Sequence, residues 1–215
     1  MTGSAVKGRP LLVIGGGGHA AVVIDVARSS GFDPIAVLDG GKSESTCNGV
    51  EVVGDDSRAA DYLRSGVSDA IVALGDNKLR WTIGTRLRKL GFDFPQLVHP
   101  SAIISPSARI GAGTVVMPLV VINAGTTIGA FAIINSAAII EHDCMIGDGA
   151  HIAPGTVLGG CVTVGELGFV GIGSAARPRS VIGDRTIIGA GSTVIGNVQS
   201  DTVALGTPAR SRSAL

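Results

Sequence analysis

The chain has 215 residues with 17 Lys+Arg against 17 Asp+Glu, a formal net charge of zero that gives no electrostatic reason to expect a nucleic-acid groove or an anionic membrane as partner. Its 33 Gly and mere 7 aromatic residues (Phe 5, Trp 1, Tyr 1) are not the composition of an average globular domain. Cys47, Cys144 and Cys161 form no CxxC pair and are too few for a disulfide scaffold, and MTGSAVKGRPLLVIGG lacks a signal-peptide pattern, so a cytoplasmic protein is expected.

In chain order, PLLVIGGGGHAAVVIDVARSSGF predicts a buried strand, a glycine turn and a helix. IAVLD predicts a second strand, VEVVGD a short third, SRAADYLRSG a helix, DAIVALG a further strand and NKLRWTIGTRLRKLGF a further helix. Strands alternating with helices imply a Rossmann-like parallel α/β sheet over residues 1–95, with a ligand crevice at the carboxyl ends of its strands. The loop Gly15–Ala20 satisfies G-x-G-x-x-A, and Asp39 ends the second strand about twenty residues on. This α/β part is under a hundred residues, too short for two mononucleotide halves. A half-site for one nucleotide follows: N–H groups at the helix start take a diphosphate, Asp39 meets a base or ribose, and Gly75 leaves room at the end of the last strand. A strand-end or helix-capping role fits Asp39 equally well.

From Val98 to Val194 every sixth residue is aliphatic, 16 of 17 being Val, Ile or Leu, with Ala176 the exception. Neither 3.6 nor 2.0 sustains a period of six, which rules out helix bundles and ordinary sandwiches. Residues 96–215 are therefore expected to wind as a parallel β-helix, with three walls of about five-residue strands and eighteen residues per coil. One aliphatic per wall fills the narrow lumen, stacked on its counterpart one coil away at ~4.8 Å. Residues 110–140 hold neither charge nor histidine, and the six-residue period argues against a membrane span there. Flat uncharged walls would aggregate if left bare, so self-association as a trimer of prisms is expected.

Glu141-His142-Asp143 interrupts a wall where the uncharged stretch ends. An imidazole beside a carboxylate suits a general base, and either Glu141 or Asp143 is a candidate to orient it. Gly160 lies one coil on, on the same wall, where a missing side chain lets a thioester lie close. His151 is half a coil from His142, on a different face, so the two can meet only across a subunit interface; a surface histidine is the plain alternative. His19, His99, His142 and His151 lack the H-x4-H spacing of a β-helical zinc hydrase, so no metal is expected. Arg177 and Arg179, flanking Pro178, suit either CoA phosphates or a solvated surface.

The GGGGHA turn, HPSAIISPSARIGAGTVV, NSAAIIEHDCMIGDGAHIAPG and the closing VALGTPAR together resemble the bacterial nucleotide-sugar N-acetyltransferases of the sialic acid O-acetyltransferase type, over about residues 10–210. The GDP-perosamine and related UDP-4-amino-sugar enzymes look closest. The resemblance implies a left-handed β-helix, acetyl-CoA as co-substrate, a homotrimer with the active site between subunits, and a role in lipopolysaccharide O-antigen synthesis. It also implies His142 as catalytic base and Asp143 as the carboxylate that orients it. On the CoA side it points to His151, Gly160, Ile172 and Ala190. On the nucleotide-sugar side it points to Gly17, Gly18, His19, Asp39, Gly75 and Asn135. O-acetylation of a sialic-acid-type sugar and a non-catalytic nucleotide-binding solenoid are the alternatives.

Overall fold

The computed structural model describes residues 8–41 and 45–212. Its first part is a three-stranded parallel sheet in the order β2-β1-β5, built from β1 (Arg9–Ile14), β2 (Phe32–Leu38) and β5 (Ala70–Val72). Leu11 to Ile14 are all buried because both faces of the sheet are covered. Alternate side chains part company: Leu11 and Val13 pack with Val23, Ile24 and Ala27 of α1 (Gly18–Ser29), whereas Leu12 and Ile14 pack with Leu87 of α3 (Asn77–Leu90) and with Phe131.

The strand expected at VEVVGD is not a full member of this sheet. Val50–Glu51 (β4) pairs antiparallel with Thr46–Cys47 (β3) through an Asn48-Gly49 turn with φ of 47° and 77°, the both-positive geometry of a tight hairpin. One parallel bridge, Val37 to Val52, ties the hairpin to β2. Ala59–Arg64 forms a short α2.

From Leu97 onward the chain winds through three parallel sheets whose strands pair eighteen residues apart, as Val115 with Ile133 and Ile133 with His151. Each wall contributes strands of two residues, not about five, because a corner follows every wall within six residues. The lumen is as expected: from Val116 to Val194 every sixth residue is at most 6% exposed, Ala176 included. Each such aliphatic is worth ~1.5–3 kcal/mol of burial. The last coil is two residues short of the period, with Ile188 opposite Ala204, sixteen residues on.

Small residues four positions after the lumen aliphatics also find their reason. Thr114, Thr126, Thr156, Ser174 and Thr186 are buried, and their hydroxyls donate to carbonyls at the facing corner, for example Thr114 Oγ1 to Gly129 O at 2.7 Å. Larger side chains would not fit, and apolar ones would leave those carbonyls unpaired.

The uncharged stretch is partly covered by the chain itself. Phe131 is fully buried between Trp81 and Phe94, at ring-centroid distances of 5.7 and 4.9 Å, and Val115 and Met117 are buried as well. The wall that carries Leu97, Val115, Ile133, His151 and Phe169 thus serves as the seat of the α/β part.

Candidate active site at two corners of the coil

The sequence-predicted residues fall into two groups on this chain. The first is at the corner between the walls of Ile139–Ile140 and Met145–Ile146. His142 Nδ1 lies 2.9 Å from Asp143 Oδ2, and Asp143 is held in the left-handed region with φ 58°. Of the two flanking carboxylates, Asp143 engages the imidazole; Glu141 instead accepts from Asn123 Nδ2 at 3.1 Å. The edge of the ring rests on Gly160, where an added Cβ would stand 2.5 Å from His142 Nε2. Both side chains of the dyad are more than half exposed. Among the described residues, His142, Asp143 and Cys161 could offer one metal donor atom each, all within 4.8 Å of one another; His142 Nδ1 is already engaged by Asp143.

The second group gathers where the α/β part sits on the coil. His151 is 8% exposed, so its reading as a surface histidine fails. Its Nε2 lies 3.1 Å from Asn135 Nδ2, its ring packs edge-on against Phe169 at 5.1 Å, and the His19 ring is 6.4 Å away. His19 Nε2 and His151 Nδ1 are buried without a well-formed hydrogen bond, which leaves two polar ring atoms aimed at the junction. Burial first, and the Arg80 charge second, lower His19 to about 4. The same two causes in the same order, with a further contribution from His19, lower His151 to about 3, against a smaller opposing effect of the Gly75 backbone.

At the strand ends, Asp39 accepts from Gly16 N at 2.6 Å with one oxygen and from Gly41 N at 2.8 Å with the other, so it ties the glycine loop to the turn that follows β2. Gly17 caps α1 with no side-chain bond and no acidic residue in the first turn, and an added Cβ at Gly17 or Gly18 would meet nothing within 4 Å. Open space therefore faces a helix start, which suits an anion. Asp39, Gly15 and Asp55 line a hollow of about 210 Å³; Gly75, Lys78, Phe169 and Arg185 line another of about 370 Å³ on the coil side. Ile172 is 59% exposed and Ala190 is exposed one coil on, both at the corner that follows the His151 wall. His142, Asp143 and Gly160 are thus at a different corner of this chain from Ile172 and Ala190, as the nine-residue offset of His151 required.

Sequence reasoning missed Arg80. It is 1% exposed on the inner stripe of α3 with Gly84 and Leu87, and an arginine at i beside buried residues at i+4 and i+7 was the available signal.

The stability consequence has a definite sign. Below the ordinary imidazole value of 6.5 the unfolded chain binds protons at positions 19 and 151 that the folded chain refuses until about 4 and 3. Stability therefore falls on acidification from 6.5, by up to about 1.4 kcal/mol per pH unit for each histidine. Denaturant midpoints between pH 7 and 5, above the range where carboxylates dominate, should show this slope, and His19→Asn should about halve it. A flat profile from 6.5 to 5 would refute the buried neutral pair.

A six-residue repeat coil with an exposed His–Asp dyad at a corner, joined to a parallel α/β domain with an open helix start, is the architecture of a hexapeptide-repeat acyltransferase. Residues 10–87 match the PglD N-terminal domain and residues 125–160 the bacterial transferase hexapeptide (six repeats). PerB from Caulobacter crescentus, solved with CoA and GDP-perosamine, is 42% identical, covers 97% of this chain and 99% of its own, and superposes with a TM-score of 0.92. The acetyltransferase domain of PglB from Neisseria gonorrhoeae FA1090, solved with acetyl coenzyme A, is 35% identical over 96% of this chain and 100% of its own, with a TM-score of 0.89. UDP-N-acetylbacillosamine N-acetyltransferase of Bacillus subtilis (strain 168) is 37% identical over 107 residues, 49% of this chain, so the match spans about half (50%) of that relative's length. The chain belongs to the family of hexapeptide-repeat nucleotide-sugar N-acetyltransferases with a PglD-type N-terminal domain.

Proposed function

We propose that this chain transfers the acetyl group of acetyl-CoA to the amine of a nucleotide-linked 4-amino-deoxy sugar, with His142 as general base. The observation that carries the reading is the dyad: His142 Nδ1 held by Asp143, with the opposite edge of the ring lying over a corner that has no side chain, at Gly160. The sugar nitrogen attacks the thioester carbonyl, His142 Nε2 takes the proton the nitrogen sheds, the C–S bond breaks with its electron pair going to sulfur, and the imidazolium returns the proton so that CoA leaves as the thiol. Asp143 fixes the tautomer that leaves Nε2 free to accept.

The nucleotide sugar lies in the α/β crevice: diphosphate at Gly17 and Gly18, base or ribose near Asp39, the sugar passing Gly75 toward His19 and Asn135. Acetyl-CoA runs along the coil past His151, Gly160, Ile172 and Ala190. Because the dyad stands at one corner of the chain and the His151 group on the wall that seats the α/β part, the complete site needs two chains, and a homotrimer brings the dyad corner of one subunit to the junction of the next. The exposed Ile103, Leu119 and Met145, each more than half open to solvent, support such packing. No described helix is long and apolar enough to cross a membrane, and the three cysteines are free, which supports a cytoplasmic location. The relatives solved with CoA and GDP-perosamine or with acetyl coenzyme A support both ligand classes. A perosamine N-acetyltransferase from Caulobacter crescentus with one histidine replaced by asparagine still holds CoA and GDP-perosamine, in keeping with a histidine used for chemistry more than for binding.

The experiment is thiol release from acetyl-CoA over a panel of GDP-, UDP- and dTDP-linked amino sugars. At least one should release CoA well above background and gain one acetyl group by mass; background rates with all of them would overturn the proposal.

A further inference from the structure

Arg80 is among the largest fully buried side chains of the described residues, and among them no carboxylate accepts a hydrogen bond from its guanidinium. Its guanidinium donates to backbone carbonyls on both sides of the junction. On the crevice side it reaches Leu74 O at 2.8 Å and Gly75 O at 3.2 Å. On the coil side it reaches Phe131 O at 2.8 Å, Gly149 O at 2.7 Å and Ala150 O at 3.4 Å, just before His151. Asn77 Oδ1 accepts from it at 2.8 Å, and Asn77 Nδ2 in turn donates to Leu167 O and Gly168 O, just before the Phe169 that packs on His151. The first turn of α3 is thereby stapled to three successive coils.

Stability alone does not account for this residue. A guanidinium withdrawn from water without a paired carboxylate is costly, and apolar replacements of buried charges are often neutral or stabilising. The geometry points instead to Arg80 as a positioning residue for the acetyl transfer: it fixes the crevice loop at Leu74 and Gly75 in register with the coil turn that presents His151. The inference rests on the acetyl-transfer reading above. Second to burial, the charge of the same cation works against protonation of both rings. The charged and titratable groups facing that pair are Arg80 from α3 and each histidine toward the other, while Asp76, from the loop before α3, faces Arg80 itself. A neutral imidazole offers one ring nitrogen as donor and the other as acceptor, where the charged ring could only donate.

Arg80→Lys and Arg80→Met separate the two effects. Lysine keeps the charge but has at most three donors on a compact head and cannot span both sides of the junction. KM for the nucleotide sugar should therefore rise about tenfold to a hundredfold in both variants, as expected for a misplacement of the order of 1 Å. Arg80→Lys keeps the charge, so the protonation of His19 and His151 should move in Arg80→Met and stay parental in Arg80→Lys. NMR titration of His19 and His151 in Arg80→Met, with no substrate present, should show both rings protonating at higher pH than in the parent. If both variants merely melt earlier while KM, kcat and the pH profile stay at parental values well below the melting temperature, Arg80 is a peg and the inference is wrong. Should neither fold, Asn77→Ala removes the Leu167–Gly168 half of the staple and one acceptor of the Arg80 guanidinium, leaves the Arg80 bonds to Leu74, Gly75, Phe131 and Gly149 in place, and must raise the same KM by a smaller factor; an unchanged KM there overturns it. A parent enzyme inactive on every amino sugar defeats the acetyl-transfer reading, whereas histidine titrations that do not move in Arg80→Met defeat this one.

Discussion

His142→Asn should lower kcat by about 10²–10⁴-fold while KM for both substrates and the melting temperature stay near the parental values. The imidazole is 58% exposed and makes one side-chain hydrogen bond, to Asp143, so little folding free energy depends on it. Asparagine preserves an N–H that can donate to Asp143 but cannot take up the proton released as the amine becomes an amide. If the ring is a base, the variant also loses the pH dependence that the base imposes on kcat; if it only accepts a hydrogen bond to position the nucleophile, the profile keeps its shape at a lower level. Steady-state kinetics from pH 5.5 to 9 distinguish these. Activity within threefold of the parent would remove His142 from the mechanism, and a KM raised tenfold with kcat intact would make it a binding group. Asp143→Asn should fall in the same direction by a smaller factor, since the ring survives but loses the partner that sets its tautomer.

The coil was legible because its code is short. One lumen position per wall recurs at a fixed interval, and no other fold satisfies it, so Val116, Ile134, Ile152 and Val170 could be placed inside with no tertiary knowledge. Strand length was not legible: a wall of six residues reads as a strand plus a turn, yet the corners, many in the left-handed region such as Phe131, Ala137 and Cys161, leave only two paired residues. In the α/β part the apparent strand at Val50 is half of a hairpin, and the Asn48-Gly49 dipeptide that turns it was present in the chain, but the Ser-Glu-Ser-Thr-Cys before it carries no strand pattern. The dyad could be read because its members are neighbours in sequence. The junction could not: Asn135 and His151 are sixteen residues apart, His19 is far from both, and periodicity does not say which of three walls the α/β part covers. That choice is made by Phe131 and Arg80, whose surroundings exist only once the two parts meet.

Gly160→Ala tests the corner beneath the dyad from the opposite direction, by adding atoms. The new Cβ would stand 2.5 Å from His142 Nε2, 2.7 Å from Cε1 and 3.1 Å from Cδ2, so the ring must leave. It can do so cheaply, because it is an exposed side chain and not backbone. The main chain at 160 does not require glycine either, since its φ lies outside the left-handed region. Folding should thus be nearly unaffected while the imidazole swings away from the place where an amine and a thioester would meet it. We expect kcat to fall about 10–100-fold, the scale of a 1 Å displacement of a catalytic group, with the melting temperature changed by no more than about 4 °C. Gly111→Ala is the control. Its Cβ would collide with the backbone of Gly129 and Ala130 at 2.4 Å, which cannot rotate aside, so that variant should lose stability. If Gly160→Ala keeps full activity, the ring has room to work from another position and the packing of His142 on the glycine is incidental. If it unfolds as Gly111→Ala does, the glycine serves the coil and not the site.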